Sequence, residues 1–136
     1  MEIDAQFLKD FQTGSLPFEQ WTHAAHIRMA HLVCKSSKDF AEALQRIRDG
    51  IQHFNGLHAA KLKVGFHETM TYLWTVLVWN ATKDDQSSSA DSFAFLENHK
   101  SLLDSSVWKQ YYTPGLMFST AAKGQFIAPD LKPIDV

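Results

Sequence analysis

The sequence predicts an all-α protein, an antiparallel bundle of about four main helices with a short helix at the N-terminus. Three observations carry that prediction. Apolar residues recur at three- and four-residue spacing through most of the chain, as at Phe40, Leu44, Ile47, Ile51 and Phe54. Ser, Thr and Asp stand where those runs begin, and Gly or Pro where several of them stop. No internal repeat or heptad array replaces the pattern with a solenoid or a coiled coil. With 136 residues the chain suits one domain over 1–136, and its 10 Phe and 4 Trp supply enough apolar surface to build a core without disulfide or metal.

The first helix is short, with Ile3, Phe7, Leu8 and Phe11 on one face, stopped by Gly14 and a Ser15-Leu16-Pro17 turn. Cap preferences favour Thr22 as the N-cap of the second helix, with His23 its first residue, after a short turn over Pro17 to Gln20. A start at Pro17 is the alternative, and it would carry Glu19 onto the histidine face. Rotation at 100° per residue places Gln20, Ala24, Arg28, His31 and Lys35 on a polar side, with His31 pointing to water. It places His26, Met29, Ala30 and Val33 on the apolar side, with His23 at its edge.

Ser36 or Ser37 is expected to cap the third helix, with Asp39 complementing its dipole, and Asn55-Gly56 to end it in a left-handed stop. A loop over Leu57 to Gly65 follows. The fourth helix, about Phe66 to Thr82, is apolar on most sides (Met70, Leu73, Trp74, Leu77, Val78), as a central helix would be. Lys83 to Ser89 reads as a solvated loop. The fifth helix is expected over Ala90 to Asp104, with a stripe of Phe95, Leu96, His99, Leu102 and Leu103. Beyond it lie a turn-rich segment from Trp108 to Gly115, a helical stretch near Ser119 to Lys123, and a tail from Pro129.

The formal charge of −2 and pI near 6.4 come with no clustered basic face, which argues against a nucleic-acid partner. Lys61 and Lys63, beside a loop, are the densest basic spot. The N-terminus lacks the basic start and apolar run of a secretory signal, and the stretch from Tyr72 to Trp79 is too short to span a bilayer. Cys34, with no second cysteine to pair with, fits a reducing compartment and reads as a small buried hydrophobe. The expectation is a soluble cytoplasmic protein.

If successive helices pack antiparallel, the first turns of the second and fourth helices share one end of the bundle. That would bring together His23, His26, His67 and Glu68, with Tyr111 and Tyr112 delivered after the fifth helix. His23 and His26, three apart, can share one ion, and His67 would complete three imidazole ligands around a divalent metal, zinc or iron. Glu68 would complete the coordination or act as base, and Tyr111 or Tyr112 would donate to a substrate oxygen. Met29, Met70, Trp74 and Phe95 would hold the apolar part of a small-molecule substrate. Open-site zinc chemistry of lyase, isomerase or hydrolase type is the leading expectation, and a two-histidine, one-carboxylate iron oxygenase the next. Proton transfer without metal is also open to such a cluster, because histidine titrates near neutrality. A non-catalytic metal or ligand carrier and a purely structural domain complete the alternatives. His99 reads as a core histidine.

The pattern His23-Ala-Ala-His26-Ile-Arg-Met-Ala, then Phe66-His67-Glu68-Thr69-Met-Thr, then Leu102-Leu103, Tyr111-Tyr112, Leu116, Ser119, Ala121 and Pro129-Asp130, resembles a family of small, largely uncharacterised bacterial and fungal helical proteins. That family usually has Tyr where this chain has Phe66, and often Arg near the position of Lys123. The resemblance implies that His23, His26, His67 and Glu68 belong to one site. It implies no particular reaction.

Overall fold

The computed structural model describes residues 2–85 and 91–136. All regular structure among them is helical: α1 (Glu2–Thr13), α2 (His23–Lys35), α3 (Phe40–Leu57), α4 (Glu68–Asp84), α5 (Ser92–Asn98), α6 (Pro114–Met117) and α7 (Thr120–Gly124). Among the described residues no helix is long and apolar enough to cross a membrane.

Caps set the helix starts. Thr22 accepts the Ala25 N–H at 3.2 Å and makes His23 the first residue of α2, after a 3-10 turn over Phe18–Gln20. Asp39, rather than Ser36 or Ser37, caps α3 by accepting the Glu42 N–H at 2.9 Å, while the Glu42 carboxylate accepts the Lys38 N–H at 2.9 Å. The left-handed stop expected at Asn55-Gly56 does not occur: α3 continues to Leu57. Among the described residues the positive φ belongs to Gly14, at 80°, where a Cβ would lie 2.2 Å from Leu57 Cδ1. Lys83 and Asp84, expected in a loop, extend α4, and the rest of that loop with the expected helix start at Ala90 lies largely outside the described residues.

α5 is half as long as expected. His99 leaves the helix with φ −131° and ψ 50°, and a 3-10 turn over Lys100–Leu103 follows. Two contacts hold His99 in that conformation. Its Nε2 lies 3.2 Å from Asp85 Oδ2, and its ring sits 4.5 Å from that of Phe95. The break turns the Leu102 carbonyl toward the first turn of α2.

α2 packs against α1, α3, α4 and α5, so it shares with α4 the central role. Ala25, Ile27, Met29, Ala30, Val33 and Cys34 are buried along it. The side of α2 expected to face water is covered by α1 and α5. His31 is only 5% exposed: its ring stacks on Phe95 at 3.8 Å and its Nδ1 lies 3.0 Å from Thr82 Oγ1. The Arg28 guanidinium is held between the Phe7 and Phe93 rings, at 3.9 and 4.2 Å, and donates to Ser92 Oγ and Asp4 Oδ1. Periodicity identifies one apolar stripe but cannot show that short neighbouring helices cover the opposite one.

The C-terminal segments make a second core of Leu73, Trp108, Tyr112 and Met117. They are tied to the start of α4 through Thr69, whose hydroxyl donates to the Gln125 carbonyl at 2.8 Å and accepts the Ile127 N–H at 3.1 Å.

Candidate functional site

The first turns of α2 and α4 do meet at one cavity. His23, His26, Met29 and Ala30 of α2 line it, with Ile47, Ile51 and Asn55 of α3 and His67, Met70, Thr71 and Trp74 of α4. The segment Lys61–Phe66 forms another wall, and Trp21, Ser105 and Trp108 complete it. Its volume is about 720 Å³, within the roughly 300–1,000 Å³ range of sites that enclose small organic ligands.

Hydrogen-bond partners assign the proton on each imidazole. A carbonyl only accepts, so a ring nitrogen facing one carries a proton. His23 Nε2–H donates to the Leu102 carbonyl at 2.8 Å, and its ring stands edge-on to Trp74 at 4.7 Å. His67 is the N-cap of α4: its Nδ1 accepts the Met70 N–H at 3.1 Å and its Nε2–H donates to the Met117 carbonyl at 2.7 Å. Both nitrogens of His67 are therefore occupied.

His26 differs. Its Nδ1–H donates to the Thr22 carbonyl at 2.7 Å, and its ring stacks on Trp21 at 3.8 Å. Trp21 in turn stacks on Phe11 at 4.7 Å, so a column of three rings fixes the imidazole plane. With Nδ1 protonated, Nε2 carries a bare lone pair, and it has no hydrogen-bond partner among the described residues, nor is it an occluded polar atom. In a ring that lines the cavity, this nitrogen is open to a ligand; the Nδ1 of His23 likewise has no partner among the described residues. Burial pushes the His26 pKa down to about 4; the charge of His23 adds to the shift, and the bond to Thr22 opposes it. His26 is thus neutral at pH 7.

The three-imidazole metal centre expected from the sequence is not assembled. Among the described residues no group of three His, Cys, Asp or Glu side chains is placed to hold a metal ion. The physical reason is that His67 spends both nitrogens on the chain itself, as helix cap and as donor to Met117. These side chains do not fit a divalent metal as they stand.

Glu68 is the next correction. One residue past the cap, it points to α3, where Arg48 grips its carboxylate through Nε–Oε1 at 2.9 Å and Nη2–Oε2 at 2.7 Å. It does not line the cavity. Neither does Tyr112, which is fully buried and donates to the Ile127 carbonyl at 2.5 Å. Tyr111 lies against Lys132, also away from the cavity. Of the residues expected to hold substrate, Met29, Met70 and Trp74 line the cavity, while Phe95 is under His31 and His99 instead. Glu19, on the 3-10 turn, pairs with Lys61 at 3.0 Å.

Sequence reasoning missed Trp21, Thr71, Ser105 and Trp108 as lining groups. Trp21 adjoins the histidine pair, which was a usable signal, and Thr71 sits one helical turn beyond His67. Nothing local marked Ser105 or Trp108, because the break at His99 alone brings that segment back to the cavity. Comparison with protein-family models, curated proteins and solved structures returned no match.

Proposed function

We propose that the protein binds a small organic molecule in this cavity and moves a proton on it without a metal, His26 Nε2 acting as the proton acceptor. The reading takes α2, α3 and α4 as successive antiparallel members of a bundle whose one end is the site. One observation carries it: a neutral imidazole, clamped by Thr22 and Trp21, with its open lone pair in an otherwise largely apolar chamber. A weakly basic, desolvated imidazole is a poor base in the empty protein. It strengthens when a ligand brings a compensating negative charge beside it.

His23 presents Nδ1 as its second acceptor while Leu102 holds Nε2–H, so it can relay or share the proton. Thr71 and Thr75 hydroxyls, which also line the cavity, donate to the His67 and Thr71 carbonyls and so orient the first turns of α4. The chemistry this supports is isomerase- or lyase-type proton abstraction next to a carbonyl or imine.

Ligand-detected NMR of a panel of small keto, amino and hydroxy acids identifies binders, and binders are then incubated in D₂O. Wild type should incorporate deuterium at a carbon-bound position, and His26→Gln should lose that exchange by at least about a hundred-fold, the usual lower bound for a general base. Equal exchange in both proteins refutes the role given to His26.

A further inference from the structure

We propose that the ligand of this cavity is an amphipathic organic anion, its charged group held at the mouth by Lys63 and its apolar body among Trp21, Trp74 and Met70. This names the substrate class for the proton-transfer reading and rests on that reading's cavity. The chain carries 15 acidic and 13 basic residues, yet no Asp or Glu lines the cavity, while Lys61 and Lys63 do. The formal charges on its lining are therefore positive, while the chain as a whole is net negative. Lys61 is already neutralised by Glu19 at 3.0 Å. Lys63 is exposed and makes no ion pair or hydrogen bond among the described residues.

Leu62 and Val64 flank Lys63 on this wall, and Val64 is 71% exposed. A long flexible cation beside open apolar surface can follow a bound anion into the mouth without leaving a buried charge behind. Inside, the side chains of Trp21, Trp74, Met29 and Met70 offer apolar contact to the body of the ligand.

Two probes differing by one charged group test this. 8-Anilinonaphthalene-1-sulfonate is the anion, and N-phenyl-1-naphthylamine is the same skeleton without the sulfonate. Fluorescence titration of the folded full chain should give one site that takes the sulfonate about ten-fold more tightly, with an affinity that falls as salt rises. Lys63→Glu should weaken the sulfonate about ten-fold and leave the neutral probe unchanged, while Thr71→Phe, which fills the chamber, should weaken both. Equal affinity for the two probes, or a sulfonate indifferent to Lys63→Glu, overturns the anion assignment and leaves the cavity standing. Failure of both probes to bind, or binding unaffected by Thr71→Phe with its unfolding transition intact, removes the cavity itself and the proton-transfer reading with it.

Discussion

Replacing His67 separates a structural histidine from a metal ligand. The Ala variant removes two interactions at once: the side-chain cap of α4 at 3.1 Å and the bond to the Met117 carbonyl at 2.7 Å. Loss of a good N-cap costs about 1 kcal/mol. Met117 is 0% exposed, so its carbonyl loses a partner that water cannot easily replace, which costs a further ~1–3 kcal/mol. The sum, about 2–4 kcal/mol, should lower the thermal midpoint of a domain this size by on the order of 10 °C. His67→Asn keeps a capping side chain but cannot reach Met117, so it should recover about 1 kcal/mol of that loss. Urea denaturation followed by circular dichroism, with and without EDTA, reads all three proteins. A metal-linked histidine behaves differently, because chelation would bring wild type down to the Ala variant through the lost binding energy. That result, or an Ala variant within ~0.5 kcal/mol of wild type, refutes the assignment of His67 to the scaffold.

Acid should destabilise the fold through two histidines, His31 buried and His26 partly buried. His26 and His31 both have pKa values pushed down to about 4, chiefly by burial, against about 6.5 in the unfolded chain. The unfolded state binds more protons between those values, so stability is full above about pH 6.5 and falls as pH drops toward 4, by on the order of 3 kcal/mol for each ring. His31→Phe should flatten that slope in a urea titration between pH 7 and 4.5, and an unchanged slope refutes the assignment. Gly50→Ala should destabilise by about 1 kcal/mol or more despite its better helix propensity. Its Cβ would lie 2.8 Å from Phe11 Cε2, and Phe11 is held by Trp21 and Phe54, so the strain passes along the ring column to His26; a stabilised variant would contradict this. Glu68→Ala should cost about 1–2 kcal/mol by breaking the half-buried pair with Arg48, while leaving ligand affinity and proton exchange in the cavity as they are. Lost exchange at wild-type stability would restore a catalytic role to Glu68.

Local chemistry carried much of this protein into view from its residues. The all-helical class, the Thr22 start of α2, the helix over the fourth apolar run and the apolar placement of His26 all depend on interactions within four residues, and those are legible in a linear string. His23, His26 and His67 line one cavity, as expected from their places at the starts of two helices. What each histidine does there was not legible in the same way. Which nitrogen of these imidazoles carries the proton depends on which distant carbonyl reaches it: Leu102 for His23, Met117 for His67. Those partners lie 79 and 50 positions away, and no spacing rule connects them.

The same limit explains the other departures. Glu68 stands beside a site histidine in sequence, but 100° of helical rotation turns it to α3, where a bidentate Arg48 was waiting without any local mark. His31 looked solvated because amphipathicity describes one helix at a time, and only packing revealed α5 on its other side. The residues by themselves determined where most of the helices run and which faces are too apolar to meet water. For His23 and His67 the tertiary structure alone decided which nitrogen carries the proton, because the carbonyls that accept it come from distant parts of the chain and hydrogen-bond satisfaction in a closed interior is a property of the neighbours.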